Sequence, residues 1–397
     1  MRESRLILLL SLIAAITVGN LYLAQPLLAE LEHVFTASPA AAGAVVTLGQ
    51  VGYGLGVLLI VPLGDLRERR QLMLVLFAGC TVGLVVSALA PSLPVLIAAS
   101  FAVGVFTVIP QIIMPYAASI ATDDRRATVI GTVQSGLLVG ILLARTVSGT
   151  IASLAGWRTV FVFAAVLGLA MAAVVAAKFP RQAPTAKLTY RETLVSMLRL
   201  LAREPVLRRV GLSGAANFAV FSGFWTTLPF LISSAYGYGP GAAGVFGLVG
   251  VVGALSARYG GRLSDLRGPR FTQKLSLVVT LASFALFAFG DRSLVPLVAA
   301  VIVLDAGCQA NHISCQAEAF TLDATARSRI NGIYMFLRFL GGAVGSAVSA
   351  FAWNHGGWHA YCVSGTVLCL LAFVPYIRSN RDRSRAAPAP PAPARRD

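Results

Sequence analysis

Long apolar segments dominate this sequence and restrict what it can fold into. A helix needs roughly 20 apolar residues to cross the hydrocarbon core of a membrane, because the crossing backbone must satisfy its own hydrogen bonds. Of all residues 57% are hydrophobic and only 12% charged, whereas a typical soluble domain has about 25% charged residues. We therefore predict an all-α integral membrane protein. Its twelve transmembrane helices are expected near residues 5–29, 41–63, 71–90, 94–119, 128–153, 159–178, 209–233, 241–263, 272–289, 294–319, 330–352 and 358–377.

An internal repeat divides these twelve segments into two sets of six. The run Asp65-Leu66-Arg67 recurs as Asp265-Leu266-Arg267, 200 residues later, and Gly156-Trp157 recurs as Gly357-Trp358 at almost the same offset. A fixed offset of this kind is the signature of a duplicated unit. The predicted organisation is a six-helix half over residues 1–178, a linker over 179–208, a pseudo-symmetric second half over 209–378 and a disordered tail over 379–397.

The positive charges predict how the chain lies in its membrane. The net charge is +16, and a nucleic-acid-binding protein of this charge would carry its basic residues on one soluble face. Here the basic residues sort by membrane side instead: with the N-terminus inside, all but four of the 32 Lys and Arg lie in cytoplasmic segments or in the tail. The positive-inside rule then predicts a multi-pass protein of a bacterial-type inner (plasma) membrane, with both termini in the cytoplasm and no nucleic-acid partner.

The repeated acidic and basic run carries a family resemblance. The second copy matches the pattern Gly-x-Leu-x-Asp-x-x-Gly-x-Arg/Lys through Gly261, Leu263, Asp265, Gly268 and Arg270. The first copy keeps the leucine, the aspartate and the arginines, with Val61 and Glu68 in place of the glycines. Together with the two six-helix halves, this signature resembles the major facilitator superfamily over residues 1–378. The resemblance implies a solute transporter that works by alternating access.

A narrower resemblance concerns the first and fifth helices. The stretch Asn20-Leu21-Tyr22-Leu23-Ala24-Gln25-Pro26-Leu27-Leu28 is similar to the first helix of bacterial drug and metabolite exporters. Gly136, Gly140, Gly149 and Gly156-Trp157-Arg158 resemble the antiporter signature of that group, without its usual proline. The fourth helix lacks the arginine that proton-coupled exporters often carry. This resemblance implies export coupled to proton entry.

The resemblance also implies a gate at the two repeated loops. In the family, the aspartate of this loop meets the positive end of a neighbouring helix and the arginines meet carboxylates. An anion at a helix N-terminus gains about 0.3–1 kcal/mol, and such a contact exists in only one gate state. The gating candidates are Asp65, Arg69, Arg70, Asp265 and Arg270. The alternative is that the aspartates only cap short turns.

A polar stripe marks the tenth predicted helix. Asp305, Gln309, His312 and Gln316 follow one another at spacings of four, three and four, so they share one helical face. Asp305 is the only carboxylate placed well inside the membrane, since Glu318 falls at the cytoplasmic end of the same helix. A carboxyl group that alternates between a wet and a closed cavity is suited to carry a proton. We predict Asp305 and His312 as proton-coupling residues; the alternative is a permanently paired aspartate and a structural histidine.

Two arginines also lie within predicted helices. Arg145 shares a helical face with Gln134, and Arg338 shares one with Asn331 and Tyr334. Arginine keeps its charge, so each is a fixed counter-charge or a clamp for an anion. Three arrangements stay open: one arginine pairs with Asp305 and the other binds substrate, both hold a carboxylate- or phosphate-bearing solute, or both pair structurally between the halves.

The remaining substrate candidates lie on helices that line the cavity in the resembled fold. The first and seventh helices carry polar and aromatic side chains close to Pro26 and Pro229. Gln111, between two prolines of the fourth helix, aligns with His312 at an offset of 201 residues. The full set of substrate and charge-balance candidates is Arg145, Arg338, Tyr22, Gln25, Gln111, Gln134, Asn217, Trp225, Gln309 and Tyr334.

These features together predict a secondary transporter that exports a small organic solute against proton entry. The alternative within transport is proton-coupled uptake of an anionic metabolite. A polytopic membrane enzyme is the less favoured reading, because no second motif supports His312 with Cys315 or the loop histidines as a catalytic set. We expect no cofactor and no metal, since the cysteines lack ligand spacing, and no ATP, since no Walker-type loop is present. Twelve helices form a complete pathway within one chain, which predicts a monomer.

Overall fold

A computed structural model describes residues 3–120, 125–181, 189–323 and 326–376. Every regular element in these ranges is helical. The predicted disordered tail, 379–397, lies outside the described residues. So does part of the predicted linker.

The first half contains nine α-helices and one short 3₁₀ helix among its described residues. The 3₁₀ helix, Gln25–Leu27, lies between the first two α-helices. The α-helices are α1 Glu3–Gly19, α2 Leu28–Val34, α3 Pro39–Leu59, α4 Leu63–Leu66, α5 Arg69–Leu89, α6 Leu93–Phe106, α7 Ile109–Ile120, α8 Arg126–Ala155 and α9 Trp157–Lys178.

The second half repeats this arrangement after a linker helix. The linker helix is α10, Tyr190–Arg203. The helices of the second half are α11 Pro205–Tyr236, α12 Pro240–Arg267, α13 Pro269–Phe287, α14 Leu294–Phe320 and α15 Arg327–Leu371. Helices therefore occupy all twelve predicted segments. Within the described ranges, eight helical stretches meet a length and hydropathy criterion for crossing a membrane, and two shorter apolar stretches accompany them.

The longest helix is in fact two of the predicted spans joined at a kink. The pattern of backbone hydrogen bonds joins the two spans into one helix, α15. Gly356 and Gly357 nevertheless depart from helical geometry, and Gly357 has φ 58°. Gly156, its counterpart in the repeat, has φ 80° and separates α8 from α9. Both repeated Gly-Trp pairs thus mark a sharp reversal that requires positive φ, a conformation that glycine adopts at little cost. The internal repeat is visible in the backbone as well as in the sequence.

Two of the spans predicted as single helices in the first half are broken within their length. α1 ends at Gly19, and the chain resumes helical structure only at Gln25, with Pro26 near the start of the 3₁₀ helix. α6 ends at Phe106 and α7 begins at Ile109, next to Pro110. Proline lacks the backbone donor that would continue a helix, which accounts for both breaks. The first break places Tyr22 and Gln25 where the backbone departs from a regular α-helix, and the second places Gln111 in the first turn of α7.

Helix α10 lies in the segment that the sequence analysis treated only as a polar linker. Thr189 and Glu192 form a capping box at its start, and the Thr189 backbone N–H donates to Glu192 at 2.7 Å. These hydrogen bonds lower the pKa of the exposed Glu192 carboxyl. Met197 packs into a cluster with α11, α14 and α15, while the Tyr190 hydroxyl donates to the Leu59 carbonyl at 2.8 Å. The linker helix therefore contacts both halves.

The halves meet along two helix pairs, α3 with α15 and α8 with α12. We call the side with residues 64–70 and 265–270 the basic face and the opposite side the far face. Near the far face, the Thr146 hydroxyl donates to the Gly244 carbonyl at 3.0 Å, and the Gly241 backbone N–H donates to Ser153 at 2.9 Å. Closer to the middle, the Tyr53 and Phe339 rings pack 4.3 Å apart.

Candidate functional site

Arg145 of α8 lies buried at the contact between the two halves. Its side chain is 1% exposed, and its Nε donates to the side-chain oxygen of Gln25 at 2.7 Å. The centre of its guanidinium is 3.8 Å from the centre of the Trp225 ring and 4.9 Å from that of Tyr22. These distances are within the range of cation–π attraction. Three of the predicted substrate residues therefore surround one predicted arginine.

Asp305 of α14 faces the same group from the second half. It is 4% exposed, and its Oδ2 is 2.7 Å from the position that a Cβ on Gly250 would take. The indole N–H edge of Trp225 lies beside its carboxylate, and Arg145 is within electrostatic range. Among the described residues, neither Asp305 Oδ1 nor Arg145 NH2 has a hydrogen-bond partner. The two charges thus share Trp225 as a neighbour without forming a direct ion pair.

Arg338 of α15 belongs to a second group. Its guanidinium lies 4.3 Å from the Phe218 ring centre and beside the Tyr334 hydroxyl. That hydroxyl is 2.9 Å from Nδ1 of His312, whose ring stacks on Tyr334 with 9° between the planes. His312 is two helical turns from Asp305 along α14, about 10 Å. The structure therefore groups His312 with Arg338 and Tyr334, and Asp305 with Arg145.

A pair of phenylalanines connects the two arginine groups. Phe218 and Phe221 of α11 stack with ring centres 5.5 Å apart, and Arg145 lies 5.8 Å from Phe221. Both rings are nearly buried. The sequence analysis missed them, although they precede Trp225 by seven and four residues, the helical spacing that places all three on one face. Gly250, which makes room for the Asp305 carboxylate, carried no signal in the sequence.

Gln111 takes part in a chain of hydrogen bonds between the halves. Its Nε2 donates to the Tyr53 hydroxyl at 3.1 Å, and its Oε1 accepts from Asn331 of α15 at 3.5 Å. Asn331 in turn accepts from Gln316 at 2.9 Å. Two members of the polar stripe of α14, His312 and Gln316, therefore have partners on α15.

Three other predicted residues lie apart from these groups. Asn217 is completely buried and donates to Thr280 of α13 at 3.2 Å, so it packs inside the second half. Gln134 and Gln309 are half-buried. Within the described ranges neither side chain makes a hydrogen bond. Another polar contact between the halves was not predicted: Gln50 donates to Ser222, whose hydroxyl is 2.8 Å from that of Ser346.

The two repeated loops on the basic face differ in their contacts. Asp65 pairs with Arg69 at 3.1 Å, and Arg69 also donates to the Gly64 carbonyl at 3.0 Å. Arg70 donates to the Ala176 carbonyl of α9. Asp265 is exposed and has no polar partner among the described residues. Among the residues that the structure describes, neither aspartate makes a polar contact with the end of a neighbouring helix.

A buried cluster of charged side chains on the basic face surrounds Glu318. This carboxylate accepts from Arg209, from Arg270 at 3.2 Å and from Gln273 at 3.0 Å. Its side chain is 11% exposed. The cluster joins α11, α13 and α14 within the second half. Arg270, a predicted gating residue, thus contacts a buried carboxylate, whereas position 117, which corresponds to Glu318 in the first half, is alanine.

A cavity of about 260 Å³ opens on the far face between the halves. Glu30 and His33 of α2 line one side, and Ser233 and Tyr238 line the other. It reaches Pro26 and Pro229, which follow Gln25 by one residue and Trp225 by four. The cavity therefore approaches the Arg145 group from the far face. In the described part of the chain, no group of three or more His, Cys, Asp or Glu is placed to hold a metal ion.

Comparisons with known proteins agree with this architecture. A family model described as Major Facilitator Superfamily matches residues 10–346. The chain is 39% identical over 367 residues to a putative uncharacterized transporter, YgaY, of Escherichia coli (strain K12), covering 92% of this chain and 93% of that protein. It is 33% identical over 365 residues to a probable transporter, SCO4007, of Streptomyces coelicolor, covering 91% of this chain and 85% of that protein.

A solved structure with the same fold is a bacterial homolog of the human lysosomal transporter Spinster, in an inward-facing and unoccupied conformation. The TM-score is 0.80, and the match covers 98% of this chain and 99% of that chain. Only 16% of the residues are identical, so the similarity concerns the fold.

Proposed function

The chain belongs to the major facilitator superfamily and is a multi-pass membrane transporter, and we propose that it couples transport of a small organic solute to proton movement. Residues 1–178 and 209–378 are the two bodies that rock about a midplane site. The chain works as a monomer in a bacterial inner membrane, with its basic face and both termini on the cytoplasmic side.

The burial of the Asp305 carboxyl group near the other half is the observation that supports this proposal most strongly. Ionisable groups within spanning helices are costly, so they mark pathways more often than packing. Asp305 is 4% exposed, lies beside Gly250 and Trp225, and has an Oδ1 without a partner in the described ranges. Its nearest counter-charge, Arg145, is in the other half. A change of its protonation state therefore changes the attraction between the rocking bodies.

Contacts between the halves support alternating access. The far face is held by hydrogen bonds at Thr146 and Gly241, whereas nearer the basic face Gln111 and Asn331 approach at 3.5 Å. The loops with Asp65, Arg69 and Arg70, and with Asp265 and Arg270, form the gate of the basic face. Such contacts exist in one state of the transporter and are lost in the other, so they set the balance between the states.

Two coupling modes are candidates. Exchange of an exported solute for an entering proton follows from the sequence resemblance to exporters. Co-transport of an anion with a proton is favoured by a specific observation: two guanidiniums, Arg145 and Arg338, are buried near Tyr22, whereas one buried carboxylate, Asp305, lies within electrostatic range of Arg145. Both modes use the same proton-carrying residue, and the sign of the coupling separates them.

Reconstitution into liposomes tests the proposal. Purified protein is given a pH gradient of either sign, and internal pH is followed while a mixed library of drugs and organic acids is added. Substrate-dependent proton movement is the expected result. If a preparation with confirmed folding moves solute without moving protons, transport is driven by another ion or by the gradient of the solute itself.

A further inference from the structure

Four hydrogen-bond donors around the midplane site have no acceptor within the described ranges. They are Nε2 of Gln25, NH2 of Arg145, Nε1 of Trp225 and NH1 of Arg338. These four residues are between 1% and 7% exposed. A buried donor without a partner costs free energy, and a charged one costs more. Unpartnered donors that come from both halves are suited to a ligand rich in acceptor atoms, such as a carboxylate.

The buried charges around this site do not cancel. Arg145 and Arg338 each contribute one positive charge, and Asp305 contributes one negative charge when ionised. Both arginines lie near the Tyr22 side chain, so they act on the same region. The other buried carboxylate of this half, Glu318, is engaged with Arg209 and Arg270 at the basic face. The site therefore carries a net charge of one positive unit when Asp305 is ionised and of two units when Asp305 is protonated, and both states attract an anion.

The surfaces beside the two guanidiniums are aromatic. Trp225 and Tyr22 flank Arg145, Phe218 lies against Arg338, and Phe221 lies between Phe218 and Trp225 along α11. Aromatic side chains pack well against flat apolar groups, and ring pairs gain stabilisation beyond the area that they bury. A ligand for this site therefore combines one anionic group with a flat apolar body.

Two anions compete for Arg145: the Asp305 carboxylate and the anionic ligand. Binding of the ligand is therefore coupled to protonation of Asp305. When Asp305 is ionised, it attracts Arg145 and repels an incoming anion. When Asp305 is protonated, Arg145 becomes available to the anion. Adding a proton and a monoanion together leaves the net charge of the site unchanged, so the loaded and the empty site close at a similar electrostatic cost. A proton alone leaves two guanidiniums without a counter-charge.

We infer that the substrate is an aromatic organic monoanion, bound between Arg145 and Arg338 and carried together with one proton on Asp305. This inference rests on the proposed function and decides between its two coupling modes in favour of co-transport. The process is electroneutral, and the direction of transport follows the combined gradients of proton and anion.

Binding by the full-length protein in lipid nanodiscs tests the substrate class. The probes are benzoate, naphthoate and indoleacetate, with benzyl alcohol and benzylammonium as neutral and cationic partners of matched shape. Calorimetry in buffers of different ionisation enthalpy gives both the affinity and the number of protons taken up. We expect binding of at least one carboxylate with uptake of about one proton. Stronger binding of benzylammonium, carboxylate binding without proton uptake, or no carboxylate binding at millimolar concentration overturns the inference.

Two variants and a matched control locate the site. Arg145→Gln is expected to weaken carboxylate binding at least about tenfold, the loss typical when a charged hydrogen-bond partner is removed. Arg292→Gln removes the same charge from an exposed loop of the far face and is expected to bind as the wild type does. Asp305→Asn is expected to keep carboxylate binding and to lose the proton uptake. Unchanged proton uptake in Asp305→Asn contradicts the inference even if Arg145→Gln fails to fold.

Transport data separate this inference from the proposed function. If liposomes show proton movement driven by neutral or cationic solutes while no carboxylate binds, the anion inference fails and proton-coupled transport stands. If carboxylates bind with proton uptake but no solute moves protons across the membrane, the proposed function fails. Electroneutral co-transport also predicts that clamping the membrane potential with valinomycin and potassium leaves the rate of benzoate-driven proton movement unchanged.

Discussion

The guanidinium of Arg145 lies 3.8 Å from the ring centre of Trp225, so the buried cation of the first half rests on an aromatic side chain of the second. The indole N–H edge of the same tryptophan faces Asp305. The face of one side chain thus lies against the fixed positive charge, and its edge lies beside Asp305, the residue that we propose carries the proton. A change in the protonation of Asp305 therefore changes the electrostatic attraction at the contact between the halves.

Gly250 gives a direct test of how closely the helices must approach at this site. A Cβ at position 250 is 2.7 Å from Asp305 Oδ2 and 3.0 Å from a side-chain carbon of Leu142, which belongs to the other half. Gly250→Ala must therefore displace one of them, at about 1–3 kcal/mol. We expect transport to fall about tenfold or more while the protein still folds, measured as initial rates in liposomes.

Gly131→Ala is the matched control for this variant. Gly131 also lies within a helix, and nothing is within 4 Å of the position of its added Cβ. Alanine favours a helix over glycine by about 0.5–1 kcal/mol, so the control is expected to transport normally and to be slightly more stable. Equal loss of transport in both variants contradicts a specific role for the space at Gly250.

A cross-link between the halves tests alternating access. The Cβ of an alanine at Gly43 would lie 2.6 Å from the Cβ of Ala350, which is closer than the roughly 3.8 Å of a disulfide, so the two helices must separate slightly. We expect the double variant Gly43→Cys with Ala350→Cys to form a disulfide that blocks transport. Reduction of the disulfide is expected to restore transport. Gly43→Cys alone should be insensitive to oxidant. Full transport by the cross-linked protein argues against rocking at this interface.

The cluster at Glu318 is predicted to stabilise the second half. Glu318→Gln keeps the shape but leaves Arg209, 6% exposed, without a negative partner, and losing one member of a buried pair costs about 3 kcal/mol. We expect a lower thermal unfolding temperature in detergent. Asp265→Asn removes an exposed carboxylate on the same face and is expected to leave that temperature unchanged. Equal effects of the two variants would show that the cluster contributes no stability.

The repeat and the apolar segments predicted the fold because both depend on local sequence. Length and hydropathy mark each span, and the repeated Gly-Trp pairs mark corresponding reversals at Gly156 and Gly357. The breaks at Asn20–Ala24 and before Pro110 were harder to predict from the sequence. A proline inside a span indicates that the helix bends but does not indicate at which residue it breaks. The helix at Tyr190–Arg203 could have been found from Thr189 and Glu192, whose spacing is that of a capping box.

The sequence predicted most residues of the site but only partly which of them lie together. Buried charge is rare enough in a spanning segment that Arg145, Asp305 and Arg338 were evident from the sequence. Which charges meet depends on how helices of different halves face one another, and no local pattern encodes this. The sequence therefore left the partner of Asp305 open, placed Asn217 with Trp225, and gave no sign of Gly250 or of the stacked Phe218 and Phe221.

Proton movement by the Asp305→Asn variant tests the central claim most directly. Wild-type and variant proteins are reconstituted at equal density, and internal pH and solute uptake are recorded together for a solute that drives protons in the wild type. The account predicts that the variant still exchanges solute across the membrane in the absence of a gradient, while solute-driven proton movement and gradient-driven accumulation are lost. Proton movement equal to that of the wild type would contradict the assignment and return Asp305 to a structural role.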